Sequence, residues 1–139
     1  METRLVTLRR RAAPPGWFPK RGEVCLISLD KERPAIVISS DALNRHSLHI
    51  SVVPVSTAEH RVFSLRPRLR AGSGGLDRES WAKCDQVTTV AKSRAVYPPL
   101  GVLETADLAR IELAIKQALE LPWRARPEFG VPGYCSGAT

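Results

Sequence analysis

The stretch EVCLISLDKERPAIVIS, Glu23 to Ser39, decides the fold class. Glu23–Leu29 is a short, apolar, β-prone run, and the polar stretch Asp30–Arg33 turns the chain. Pro34–Ser39 is a second strand, opened by a proline, which a strand tolerates at its first residue. Beyond it, Ser40-Asp41 carries N-cap chemistry and predicts a short helix through Asn44. Leu48–Val55 reads as a third strand, with Pro54 marking its end or an edge. Val62–Arg70 follows with strict alternation: Phe63, Leu65, Pro67 and Leu69 on one face, Ser64, Arg66, Arg68 and Arg70 on the other. Gly72–Gly75 turns the chain, and Ser80–Cys84 and Gln86–Val90 are two further strands.

Thr105–Leu121 is the one long helix candidate. Thr105 is its expected cap, Asp107 complements its positive end, and Pro122 stops it. Leu108, Ile111, Ile115, Ala118 and Leu119 are expected to share its buried face. Six short strands without crossover helices predict a mainly β fold: an antiparallel sheet curled into a small barrel, with a C-terminal α-helix packed on it. Pro14, Pro15, Gly16 and Pro19 set residues 1–19 apart as a basic extension, expected to be flexible. Residues 20–122 form the domain, and 123–139 a Pro/Gly-rich tail.

The whole chain, 139 residues with 43% hydrophobic and 25% charged side chains, is the size and composition of one globular domain. No apolar run approaches the roughly 20 residues of a membrane span. The basic N-terminus has no apolar leader core, so the chain reads as cytoplasmic. Cys25, Cys84 and Cys135 are odd in number and widely spaced, which fits no disulfide framework. None of them pairs with His46, His49 or His60, so neither a metal nor another cofactor is expected. The net charge of +7 is regional: +5 falls within residues 1–21 and +4 within 61–70, leaving −2 for the rest. Such clustering suits a phosphate-binding surface, although a basic tail beside one solvated strand face would produce the same pattern.

The order of short motifs is more specific. Arg21-Gly22-Glu23-Val24 opens the first strand and Arg33-Pro34-Ala35-Ile36-Val37 the second. Ser39-Ser40-Asp41-Ala42-Leu43-Asn44 and Val53-Pro54-Val55-Ser56-Thr57 come next. Gly75-Leu76, Ser80, Cys84-Asp85-Gln86, Ser93-Arg94 and Leu100-Gly101-Val102-Leu103 complete the series. In this order they resemble the MazF/PemK family of toxin endoribonucleases from Arg21 to Leu121. The resemblance implies an SH3-like barrel that forms a homodimer and cleaves single-stranded RNA without a metal. The ribose 2′-hydroxyl would attack the adjacent phosphorus, leaving 2′,3′-cyclic phosphate and 5′-hydroxyl ends. It also implies a cognate antitoxin whose acidic, disordered segment occupies the basic groove, in a complex that binds DNA.

On this resemblance the family's arginine maps to Arg33, whose planar fork suits phosphate oxygens, and its threonine to Ser56. Many members carry a longer first loop that supplies an acid; here it is reduced to Asp30-Lys31-Glu32. Glu32 is the nearest acid, although alternation should point it away from Arg33. His60, just past Ser56, has an ordinary pKa near ~6.5. Thr57, His60, Gln86, Arg66, Arg68 and Arg70 are the expected RNA contacts. Each residue also has a structural reading. Arg33 could pair with Glu32, Asp30 or Asp41; Ser56 could be a turn hydroxyl; Gln86 could bond backbone in the core. A non-enzymatic binder on the same barrel, of the gyrase-poisoning kind, is the alternative function. Retention of both Arg33 and Ser56 favours the enzyme.

Overall fold

The computed structural model describes residues 11–58 and 65–122. Within them, seven strands and two α-helices follow in the order β1 (Glu23–Ser28), β2 (Glu32–Val37), α1 (Asp41–His46), β3 (His49–Ser56), β4 (Arg68–Leu69), β5 (Ser80–Ala82), β6 (Thr88–Ala91), β7 (Gly101–Val102) and α2 (Thr105–Leu119). The sheet runs β4-β5-β3-β2-β1-β7, with every pairing antiparallel. β3 is its hub. One edge pairs with β2, while the other is shared between β6 along its first half and β5 at Val55–Ser56. This is the expected curled antiparallel sheet with a C-terminal helix.

Alternation along the central strands sorts their apolar residues to two faces. Val24, Leu26, Ile36, Val53 and Val55 point inward with Leu69, Leu76, Leu100 and Leu103, and α2 closes this core with Ile111 and Ala114. Cys25, Ile27, Ala35, Val37, Ile50 and Val52 form a second cluster on the opposite face, against Val90 and Ala95. The motif around α1 has a structural reason. Ser40 caps the helix, its hydroxyl accepting the Leu43 N–H at 3.2 Å. Asn44, fully buried, donates to the Ser39 carbonyl at 3.0 Å, while the Ser39 hydroxyl accepts from Ser51 N at 3.0 Å. The helix is thereby fastened to β2 and β3.

Several boundaries differ from expectation. Of the strand expected over Val62–Arg70, residues 62–64 lie outside the described residues, and only Arg68–Leu69 is regular strand. Pro67 has no N–H to give the ladder, and its carbonyl alone accepts from Ala82 N at 3.0 Å. Cys84–Gln86 forms a 3-10 turn rather than strand, so β6 begins at Thr88. β7 went unpredicted because a two-residue strand has no periodicity to read. Glu104, not Thr105, occupies the N-cap of α2, without a side-chain bond. That helix ends at Leu119, with Glu120 left-handed, and Leu119 itself is exposed. Residues 11–19, set apart from the domain by sequence, lie on it. Arg11 N donates to Tyr97 O at 3.0 Å, Trp17 packs edge-on against Tyr97 at 5.2 Å, and Pro19 is buried.

The turn before β5 meets β7 at backbone distance. Gly75 has φ +81°, and a Cβ there would stand 2.0 Å from the Leu100 carbonyl oxygen. Gly75→Ala should therefore lower unfolding stability by at least about 2 kcal/mol, combining left-handed strain with a backbone overlap that no rotamer relieves. Urea titration of the two proteins measures it.

Candidate nucleic-acid cleft

Register brings the two family-motif residues together. Ala35 lies opposite Pro54, so continuing the β2–β3 ladder by two residues sets Arg33 opposite Ser56. Ser56 in turn faces Trp81 on β5, and Trp81 faces Arg68 on β4. Arg33, Ser56, Trp81 and Arg68 thus make one row across the sheet, stepping about 4.8 Å per strand. At this end of the sheet opens a cleft of about 160 Å³, lined by Lys31, Glu32, Arg33, Ser56, Thr57, Ser80 and Lys83 among others.

Arg33 is exposed, and among the described residues its guanidinium makes no hydrogen bond or ion pair. The surface ion pairs open to it by sequence are not formed: Asp41 instead accepts Arg21 N at 2.7 Å, and Asp30 accepts Lys31 N at 2.8 Å. Ser56 does serve as a turn hydroxyl, its oxygen accepting Ala58 N at 3.1 Å. That bond uses a lone pair and leaves the O–H able to donate into the cleft. Glu32 obeys the alternation, with its carboxylate oxygens buried while Arg33 faces solvent, yet both residues line the cleft. Among the described residues, three cations and a single carboxylate line it. Such a set attracts phosphate oxygens and repels a divalent cation.

Of the other expected contacts, Gln86, Arg66, Arg68 and Arg70 do not line this cleft. His60 falls outside the described residues. Gln86 is exposed in the 3-10 turn, its backbone N–H donating to Lys83 O at 2.9 Å, so its side chain has no core role. Arg66, Arg68 and Arg70 do not form one open face. The Arg66 guanidinium, whose side chain is only 9% exposed, grips both Asp85 oxygens at 2.9 Å. Arg68 pairs with Glu79 at 2.9 Å. Arg68 and Arg70 line a separate cleft of about 410 Å³ with Ser73, Glu104, Asp107 and Arg110. Pattern reading missed this because a period of two assigns faces but says nothing of which acid folds back onto a cation. It also passed over Lys83, which carries no motif and reaches the cleft only through the curl of β5 onto β3.

Comparison with known proteins places these observations in a family. Residues 20–119 match the family described as PemK-like, MazF-like toxin of type II toxin-antitoxin system. The chain belongs to this family. Endoribonuclease MazF9 of Mycobacterium tuberculosis is 30% identical to it over 115 residues, spanning 73% of this chain and 97% of that relative. A mycobacterial endoribonuclease solved in complex with its cognate antitoxin superposes with a TM-score of 0.67 at 26% identity, covering 76% of this chain and 99% of the other. A MazE–MazF structure from Deinococcus radiodurans shares the fold, with a TM-score of 0.66 over 76% of this chain and 99% of the other at 20% identity. The family match spans the hairpin that carries Arg33 and the strand that carries Ser56.

Two outcomes follow from the Arg66–Asp85 pair and the buried cysteines. The hydrogen bond from Arg66 holds the Asp85 carboxyl below its usual value, so the pair's stabilisation is fully present above the unfolded carboxyl pKa of about 3.9 and is lost as pH falls from there through the lower folded value. Asp85→Asn should be less stable than wild type at pH 7, and the difference should shrink below about pH 4 in urea titrations across that range. Burial pushes the Cys25 and Cys84 thiols up to about 12. In a Cys135→Ser variant, neither should react with a thiol reagent at pH 8 until the protein is unfolded.

Proposed function

We propose that the chain is the toxin of a toxin–antitoxin pair and cleaves single-stranded RNA without a metal, acting as a homodimer. The observation that carries this reading is that the exposed Arg33, the Ser56 hydroxyl and the Glu32 carboxylate line one cation-rich cleft, in a chain of this family. In the reaction, the ribose 2′-oxygen gives its proton to a base and bonds to the adjacent phosphorus. The P–O5′ bond breaks, and the leaving 5′-oxygen takes up a proton. Arg33 stabilises the charge that accumulates on the phosphorane oxygens. Ser56 and Thr57 donate hydrogen bonds that hold the phosphate in line, and Glu32 is the carboxylate nearest to accept the 2′-proton.

The relative solved with its antitoxin supports a similar partner here: an acidic, disordered segment that folds against the basic cleft and competes with RNA for Arg33. A two-fold homodimer would place two such clefts on one assembly.

Incubation with a long single-stranded RNA in EDTA tests the reading. Fragments should appear whose 5′ ends accept phosphate from a kinase without prior phosphatase treatment. Arg33→Ala should slow cleavage by at least ~10²-fold, the scale of losing one donor to transition-state charge, and Ser56→Ala should also be slowed severely. Loss of activity in EDTA that magnesium restores, or Arg33→Ala cleaving at the wild-type rate, would overturn it.

A further inference from the structure

We infer that Trp81 is a stacking platform for an RNA base, seated beside the phosphate that the cleft holds. The inference rests on the RNA-cleaving reading above and adds to it a residue that contacts base rather than backbone. Trp81 is the middle residue of β5, and its neighbours Ser80 and Ala82 are buried, at 1% and 0% exposure. Alternation turns its indole to the opposite face of the strand. Directly paired residues of antiparallel strands share a face, so Trp81 lies between Ser56 of β3 and Arg68 of β4. One strand spacing, about 4.8 Å, separates its backbone from that of Ser56.

The ring is unspent. Trp81 is half-buried, and among the described residues it has no aromatic partner, no cation over its ring and no hydrogen bond at its indole N–H. Trp17 offers a contrast, since its ring packs edge-on against Tyr97 at 5.2 Å. Phe18 likewise carries the Lys20 ammonium, 3.8 Å from its ring centre. Arg68, opposite Trp81 on β4, pairs with Glu79 at 2.9 Å rather than lying on the indole.

The chemistry of a single strand explains why an aromatic belongs there. Unpaired RNA bases stack on aromatic side chains, while neighbouring cations hold the backbone that joins them. Arg33 and Ser56 line the cleft on one side of Trp81, and Arg68 stands on its other side. Glu79 and Lys83, two residues away along the chain in either direction, are charged as well. A tryptophan that anchors a protein partner sits within a water-excluding apolar ring. This one is surrounded by charge, which suits a nucleotide. A base fixed on the indole restrains the nucleotide beside the bound phosphate, and so helps to align the 2′-oxygen with phosphorus. Every base has a π-face, so the platform adds grip and orientation rather than a cleavage motif.

The test uses the full-length protein with the substitutions Trp81→Leu and Trp81→Phe. The probe is a 2′-O-methyl RNA oligonucleotide, which has no free hydroxyl to attack, together with versions carrying one abasic residue at each position in turn. For wild type, one abasic position should weaken binding by about 10-fold or more, the scale of one base–aromatic stack. Trp81→Leu should bind the intact oligonucleotide weaker by the same factor and be indifferent to that abasic position. Its salt slope should match wild type, because no charge has been removed. Trp81→Phe keeps an aromatic face and should recover most of the affinity. Trp81→Leu binding as tightly as wild type, or repeating its abasic profile, overturns the inference. A changed mass of Trp81→Leu in light scattering also overturns it, since the ring would then belong to an interface between two copies. Should wild type cleave no RNA while the abasic position and Trp81 still depend on one another, the platform stands and the cleavage reading fails.

Discussion

The register of β1, β2 and β3 is the constraint on which the rest depends. Both faces of this three-stranded unit are buried, one against α2 and the barrel interior, the other beneath Val90 and Ala95. A slip of one residue would exchange the faces and push Arg33 into an apolar layer while expelling Ala35 or Ile36. Packing on both sides therefore selects one register, and that register sets Arg33 opposite Ser56. The short hairpin adds to this selection, since Ser28 already faces Glu32 across the three residues Leu29–Lys31. The functional geometry is thus a by-product of core packing several residues away.

A single strand, β3, then distributes the chemistry. Its buried residues Ile50, Val52, Val53 and Val55 anchor it from both sides, while its last residue, Ser56, emerges at the cleft. Because β2 and β5 flank this end, each can project a cation past it, Arg33 from one neighbour and Lys83 from the other. The adjoining Arg66–Asp85 pair performs a different task. It ties the returning chain to the 3-10 turn after β5, with a nearly buried guanidinium whose Nε and Nη2 donate to the two Asp85 oxygens. Removing Asp85 would leave the nearly buried guanidinium without this acceptor, whereas Asp85 itself is exposed.

Apolar periodicity made most of this architecture legible in the sequence. The runs 23–29, 34–39 and 48–55 became β1, β2 and β3 with boundary shifts of one or two residues, and the Ser40 cap and the Ile111 face of α2 stand where pattern placed them. These signals are local: a strand's alternation or a cap's hydroxyl is satisfied within a few residues of itself. Arg33 and Ser56 were legible through the order of the family motifs, Arg33 directly before Pro34 and Ser56 two residues after Pro54.

What tertiary structure alone decided is which charges meet. Sequence shows three arginines on alternating positions, but whether each stays open depends on an acid far along the chain, and Arg66 found Asp85 while Arg68 found Glu79. The same holds for Lys83, an ordinary residue between two buried neighbours until β5 folds onto β3 and sets it beside Ser56. β7 exists only because Gly75 lets the chain pass against Leu100. Apolar burial is written in periodicity, because every residue of a strand samples the same two faces. The pairing of polar groups is a matter of long-range position, which no window of the chain contains.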